Sequence, residues 1–168
     1  LPEGLVTGLN VWKGRDQSAE ITVRNLLAHT SGLANYVEDK PKSGPRLIES
    51  VTTGDRTWDT AEVARIVREE LRPHFPPQPA GATRQRIRYS DTNYALLRAI
   101  AEAVTGEPLH RLYEAMLFAP LGMSSTWMAG RPRGEDELAP TTLWAGERPV
   151  AIPLALQSLQ AVYSSAGD

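Results

Sequence analysis

The sequence predicts a mainly α chain. Three observations carry that prediction: apolar residues recur every three to four positions in successive runs, proline or glycine closes those runs, and strand signals are confined to short stretches near the C-terminal end.

The first run covers residues 21–29. The Thr22 hydroxyl is placed to cap the opening backbone N–H groups, Val23, Leu26 and Leu27 fall on one face, and Thr30-Ser31-Gly32 ends the helix. Residues 35–58 are polar and turn-rich, with Pro41, Gly44, Pro45 and Gly54 and no sustained periodicity, which predicts a surface loop. A second helix follows from Asp59-Thr60-Ala61-Glu62, a capping arrangement, with Val63, Ile66, Val67 and Leu71 as its buried face. Pro73 stops it, because proline disfavours helical geometry in the preceding residue. Residues 73–81, with Pro76, Pro77 and Pro79, then read as a stiff, extended connector.

From Thr92 the set Leu96, Leu97, Ile100, Ala103 and Val104 predicts a third helix, with Gly106 as a left-handed C-terminal residue. Pro108 suits the start of a fourth, whose apolar face is Leu109, Leu112, Tyr113, Met116 and Leu117 up to Pro120. Residues 141–144 and 150–152 are candidate short strands. No internal repeat is visible.

With 168 residues, 41% hydrophobic and 23% charged, the chain has enough apolar content for one ordinary domain core. A formal charge of -2 and the lack of a long basic run argue against nucleic acid or an anionic membrane as partner. The absence of cysteine removes disulfides, thiolate catalysis and cysteine-based zinc sites, so any nucleophile has to be an oxygen. His29, His74 and His110 lack the spacing of a metal site, and neither a metal nor a cofactor is expected. No stretch is apolar for long enough to span a bilayer, and the first residues lack the pattern of a signal peptide. The chain opens on Leu1 rather than Met, which suggests an internal segment of a longer protein.

Two candidate sites invite competing readings. Tyr89 followed by Ser90 and Asp91 is, taken alone, a half-buried tyrosine before a capped helix. His29 and Ser31 suggest a base and nucleophile, but two positions of one tight turn do not readily hold attack geometry, so an architectural role is preferred. Arg84-Gln85-Arg86-Ile87-Arg88 reads as a solvated approach to Tyr89 that could also help hold an acidic substrate. The scattered Trp12, Trp58, Trp127 and Trp144 read as packing residues.

The run Ile21-Thr22-Val23-Arg24-Asn25-Leu26-Leu27-Ala28-His29-Thr30-Ser31-Gly32-Leu33 resembles a long signature of the serine β-lactamase-like superfamily, which includes class C β-lactamases, D-alanyl-D-alanine carboxypeptidases and esterases of the penicillin-binding-protein type. Further matches follow in family order. They are Tyr89-Ser90-Asp91-Thr92-Asn93-Tyr94 and on to Leu121-Gly122-Met123, then Tyr163-Ser164-Ser165-Ala166-Gly167-Asp168.

The resemblance implies the helical part of an α+β β-lactamase/transpeptidase-like fold, with residues 1–168 as a single partial domain, most of the antiparallel sheet lying elsewhere, and residues 35–58 as a variable surface loop beside the cleft. It implies a serine hydrolase that cleaves an amide, β-lactam or ester bond through an acyl-enzyme, on a small-molecule or peptidoglycan-peptide substrate, in the periplasm or outside the cell. Tyr89 would move protons to and from the nucleophile, and Asp91, standing where the family has asparagine, would order it or face the catalytic lysine. The family's Ser-x-x-Lys is not found, since none of Lys13, Lys40 and Lys42 has a serine three positions earlier, and no Lys-Thr-Gly or His-x-Gly follows. These 168 residues alone are therefore expected to be inactive, and the alternative is a non-catalytic helical binding module.

Overall fold

A computed structural model describes residues 3–51, 54–129, 143–145, 147–151 and 153–164. Contacts group the chain into two compact units, Leu1–Glu49 with Asp59–Val104, and Ser50–Trp58 with Thr105–Asp168. Among the described residues no helix is long and apolar enough to cross a membrane.

The first unit opens with α1 (Glu3–Val6) and a hairpin of β1 (Val11–Trp12) and β2 (Arg15–Asp16), whose register pairs Trp12 with Arg15. Its two-residue turn, Lys13-Gly14, has both φ angles positive, as the twist of a tight hairpin requires. Next comes α2 (Val23–Leu27), where Thr22 and Asn25 cap each other: the Asn25 N–H donates to the Thr22 hydroxyl, and the Thr22 N–H to the Asn25 side chain. The predicted Val23/Leu26/Leu27 face is only partly buried. Leu26 is buried, whereas Val23 and Leu27 are exposed. Asn25 decides this, because its amide donates to the Thr30 hydroxyl and to the Gln78 carbonyl and so turns the Asn25–Leu26 side of this short helix inward.

Residues 35–58 differ from the expected surface loop. They contain α3 (Leu47–Val51), and Asn35, Tyr36, Val37, Leu47, Val51 and Trp58 are buried. The polar residues on either side of α3 hid the anchoring apolar residues in the middle and at both ends. In α4 (Thr60–Glu70), Asp59 caps the start by accepting from the Glu62 N–H at 2.8 Å. Val63, Ala64, Val67 and Leu71 are buried, and Ile66 is intermediate. After the connector, which contains neither helix nor strand over residues 71–79, comes α5 (Asp91–Thr105). Its buried side is Thr92, Asn93, Ala95 and Leu96, so the expected apolar face is displaced toward polar residues at the N-terminal end, and Val104 at the other end is 80% exposed. Gly106 takes the left-handed conformation predicted for it (φ 74°).

The second unit contains α6 (Leu109–Tyr113), which runs into a π turn over Glu114–Phe118. The predicted face does not become a core: no residue of α6 is buried, Tyr113 is exposed, and in the π turn, which changes the angular register, Phe118 is buried while Met116 and Leu117 are exposed. β3 (Trp127–Met128) pairs antiparallel with β6 (Val162–Tyr163), and Trp127 stacks on Tyr163 at 5.5 Å. β4 (Leu143–Ala145) pairs with β5 (Arg148–Val150), close to the predicted strands, of which residues 141, 142 and 152 lie outside the described part. The short helix α7 (Pro153–Ser158) is tied to the 50–58 segment by hydrogen bonds from the Ala155 N–H to Asp55 and from the Trp58 N–H to the Ser158 hydroxyl, each 2.8 Å. Of the tryptophans, Trp58 and Trp127 pack inside and Trp144 is exposed. Helices thus dominate the described residues, and the strands occur as two-stranded antiparallel pairs.

Candidate active site

The turn after α2 is the centre of the first unit's polar organisation. Its carbonyls point to two other segments: His29 accepts from the Arg88 N–H (3.0 Å), Thr30 from the Gln78 N–H (3.0 Å) and Gly32 from the His74 N–H (2.8 Å). Asn10 reaches across with its side-chain amide to the carbonyls of Ser31 (2.9 Å) and Phe75 (3.0 Å). Gly32 has φ 73°, and a Cβ placed there would sit 1.9 Å from the Phe75 carbonyl oxygen, so only glycine fits against the connector.

Side chains then join this turn to the start of α5. The Ser31 hydroxyl donates to the Asn93 side chain at 2.6 Å, and the Asn93 amide donates to Nδ1 of His29 at 3.0 Å. The same Nδ1 accepts from the Ser90 N–H at 3.2 Å. Both groups are donors, so Nδ1 carries no proton and the neutral ring holds its proton on Nε2. The hydroxyls of Ser90 (2.9 Å) and Thr92 (2.6 Å) both donate to the Ala34 carbonyl. Ser90, Thr92 and Asn93 are fully buried. Ser31 is buried and committed to Asn93, which leaves it no part as a nucleophile and agrees with the architectural reading of the His29/Ser31 turn.

On this buried floor the two predicted site residues meet. The Tyr89 phenol donates to a carboxylate oxygen of Asp91 at 2.8 Å, and Tyr89 is 58% exposed. The His29 ring lies against both Tyr89 (centroids 4.6 Å apart) and Tyr94 (5.4 Å). The hydrogen bond to Asp91, with burial and the Asp91 charge behind it, pushes the Tyr89 phenol up to about 12. Loss of its proton would place a second negative charge against the carboxylate. Held this way, the phenol is a hydrogen-bond donor, and it becomes a base only if a cation enters its surroundings.

A second polar cluster lies in the same unit and was not foreseen. Asp39 accepts from Nε2 of His74 (2.7 Å), from the Arg88 guanidinium (3.0 Å) and from the Asn35 N–H (2.8 Å). Burial works to raise the Asp39 carboxyl, but the hydrogen bonds from His74, Asn35 and Arg88 outweigh it and hold the group below its ordinary value. Arg88 immediately precedes Tyr89, so the carboxylate fixes the entry of the tyrosine segment. Only Arg84-Gln85-Arg86-Ile87-Arg88, which reads as a solvated approach that could also help hold an acidic substrate, hints at this in the sequence. That run is exposed, yet Arg88 is paired and Arg86 lies over the Phe75 ring at 4.7 Å. Asn93 was visible within the Tyr-Ser-Asp-Thr-Asn-Tyr match, but not its bond to His29. Of the last matching stretch, Tyr163 and Ser164 are described, with the Ser164 hydroxyl 2.7 Å from that of Thr126, and residues 165–168 lie outside the described part.

A family model described as Beta-lactamase matches residues 2–168. The chain is 27% identical over 118 residues to a penicillin-binding protein of Bacillus subtilis (strain 168), covering 66% of this chain and 22% of that protein. Among solved structures it is similar to a D-stereospecific amidohydrolase from Streptomyces sp., with TM-score 0.68 and 24% identity over 98% of this chain and 47% of that one. It is also similar to the D-amino acid amidase from Ochrobactrum anthropi SV3 complexed with D-phenylalanine, with TM-score 0.61 and 22% identity over 96% of this chain and 49% of that one. The chain therefore spans about half the length of these structures and less of the curated relative.

Proposed function

The chain belongs to the β-lactamase family, and on that premise we propose that it forms the tyrosine-bearing wall of a serine hydrolase that opens an amide, lactam or ester bond through an acyl-enzyme. One observation carries the reading: an exposed phenol, Tyr89, is held 2.8 Å from Asp91 above a fully buried floor of Ser90, Thr92 and Asn93. That is an exposed proton donor on a rigid support, the starting arrangement from which proton transfer to a nucleophile or leaving group can be built.

A cation completes the chemistry. A unit positive charge about 4 Å from the phenolate is worth about 4 kcal/mol at an effective dielectric of 20, or about three pKa units. Such a charge opposes the pull of Asp91 and lowers the phenol from about 12, toward the range in which a tyrosinate forms. In the family pattern the cation is the lysine of Ser-x-x-Lys, whose serine makes the covalent bond. Asp91 is then placed to share that ammonium as well as to hold Tyr89. The names of the similar structures, a D-stereospecific amidohydrolase and a D-amino acid amidase, favour a small amide as substrate.

The second reading is a non-catalytic module on the same scaffold, which the raised Tyr89 phenol favours because it is no base as held. The full-length protein, treated with a fluorescent penicillin, an activated ester and D-phenylalanine amide, decides between them. Covalent labelling by either acylating probe, or release of ammonia from the amide, supports the hydrolase, with Tyr89→Phe lowering the rate at least about 100-fold. Absence of labelling and of turnover in the wild-type protein supports the module.

A further inference from the structure

We propose that His29 is a positioning residue for Tyr89: its ring, fixed from behind by two hydrogen bonds to Nδ1, is the surface that sets where the phenol stands. The inference rests on Tyr89 being the proton-transfer residue, but its geometry is independent of that reading.

Three facts converge on this ring. First, His29 is locked in place. Nδ1 accepts from the Ser90 N–H (3.2 Å) and the Asn93 amide (3.0 Å), while the His29 carbonyl accepts from the Arg88 N–H (3.0 Å). The residue is thus bonded on both sides of Tyr89 in sequence and to the first turn of α5. Second, Asn93 is itself oriented. Its side-chain oxygen accepts the buried Ser31 hydroxyl at 2.6 Å, so its amide nitrogen has to face His29. Third, the ring touches both Tyr89 and Tyr94, with centroids at 4.6 Å and 5.4 Å, so one face of contact is shared by the two tyrosines through this imidazole.

The backbone of His29 is left-handed (φ 54°), a conformation that asparagine also adopts with little strain. This makes a clean test available. In His29→Asn, the side-chain oxygen occupies about the place of Nδ1 and can take both hydrogen bonds, while the ring is lost.

The proposal expects His29→Asn, made in the full-length protein, to unfold within a few degrees of wild type and to keep slow hydrogen exchange at the Ser90 N–H. The 13Cζ resonance of Tyr89 should nevertheless shift, its titration should fall from about 12 toward the ordinary 10, and acylation should slow by about tenfold or more. Tyr94→Leu, which removes the backing of the ring but leaves Nδ1 bonded, should move the same readouts less. A Tyr89 resonance and titration unchanged in both variants would overturn the proposal. If the wild-type protein does not acylate at all, the hydrolase reading fails and the tyrosine titration alone still decides the role of His29. If His29→Asn loses the fold, Tyr94→Leu carries the same decision.

Discussion

The His29–Asn93 region and the α6 region contrast in how they use their residues. Around the turn after α2, polar side chains are buried and each has a named partner: Ser31 with Asn93, Asn93 with His29, and Ser90 and Thr92 with Ala34. In α6 and its π turn, apolar residues are exposed, Met116 at 76% and Leu117 at 42%. Apolar periodicity is present in the second region and nearly irrelevant in the first. Order around the His29–Asn93 turn follows directional hydrogen bonds and one tight steric contact, whereas α4 buries the apolar face that its periodicity predicts.

The sharpest challenge to that contrast is Gly32→Ala. A Cβ 1.9 Å from the Phe75 carbonyl, on a backbone at φ 73°, forces the turn off the connector. A loss of about 4 kcal/mol or more, seen as insoluble protein or a collapsed urea midpoint, is expected. A near-wild-type midpoint would show that the contact can relax. Asn93→Ala comes next. It strips the acceptor from the buried Ser31 hydroxyl, at about 1–3 kcal/mol by chemical denaturation, and leaves His29 Nδ1 with the Ser90 N–H alone.

The Asp39 cluster tests the electrostatic part. Its carboxyl is held below 3.8 when folded, so its contribution is fully present above that value and is lost as pH falls through the lower, folded value. Asp39→Ala should cost about 2 kcal/mol at neutral pH, and the gap to wild type should narrow as the solution is taken below about pH 4. A gap independent of pH would mean that Asp39 acts by packing rather than charge. At the small end, Met116→Gln in the exposed stretch should change stability by less than about 0.5 kcal/mol. A larger loss would place this residue in a contact that its exposure does not reveal.

The same contrast explains what the sequence made legible. Helix positions, the Thr22 and Asp59 caps and the left-handed Gly106 were readable because each depends on neighbours within a few residues. The roles of Tyr89 and Asp91, two positions apart at the entry of α5, were implied by the family resemblance rather than by local pattern. Which face of α2 turns inward was not legible, because Asn25 settles it through Gln78, 53 residues away. Asp39 was hidden in a stretch that looked like an ordinary polar loop, since its partners His74 and Arg88 lie 35 and 49 residues further on. The emergence of Met116 and Leu117 was missed because a π turn replaces the angular period on which the prediction relied.

The Ala34 carbonyl receives the hydroxyls of both Ser90 and Thr92, the residues on either side of Asp91. One oxygen thus holds the side chains of the two residues that straddle Asp91, like a ribbon tacked down on both sides of a single bead. The segment cannot roll about its own axis without breaking a buried bond, so the freedom left at Asp91 is rotation of its side chain. The distance between proton donor and acceptor at this site is therefore tuned by two rotamers, those of Tyr89 and Asp91, rather than by movement of the main chain.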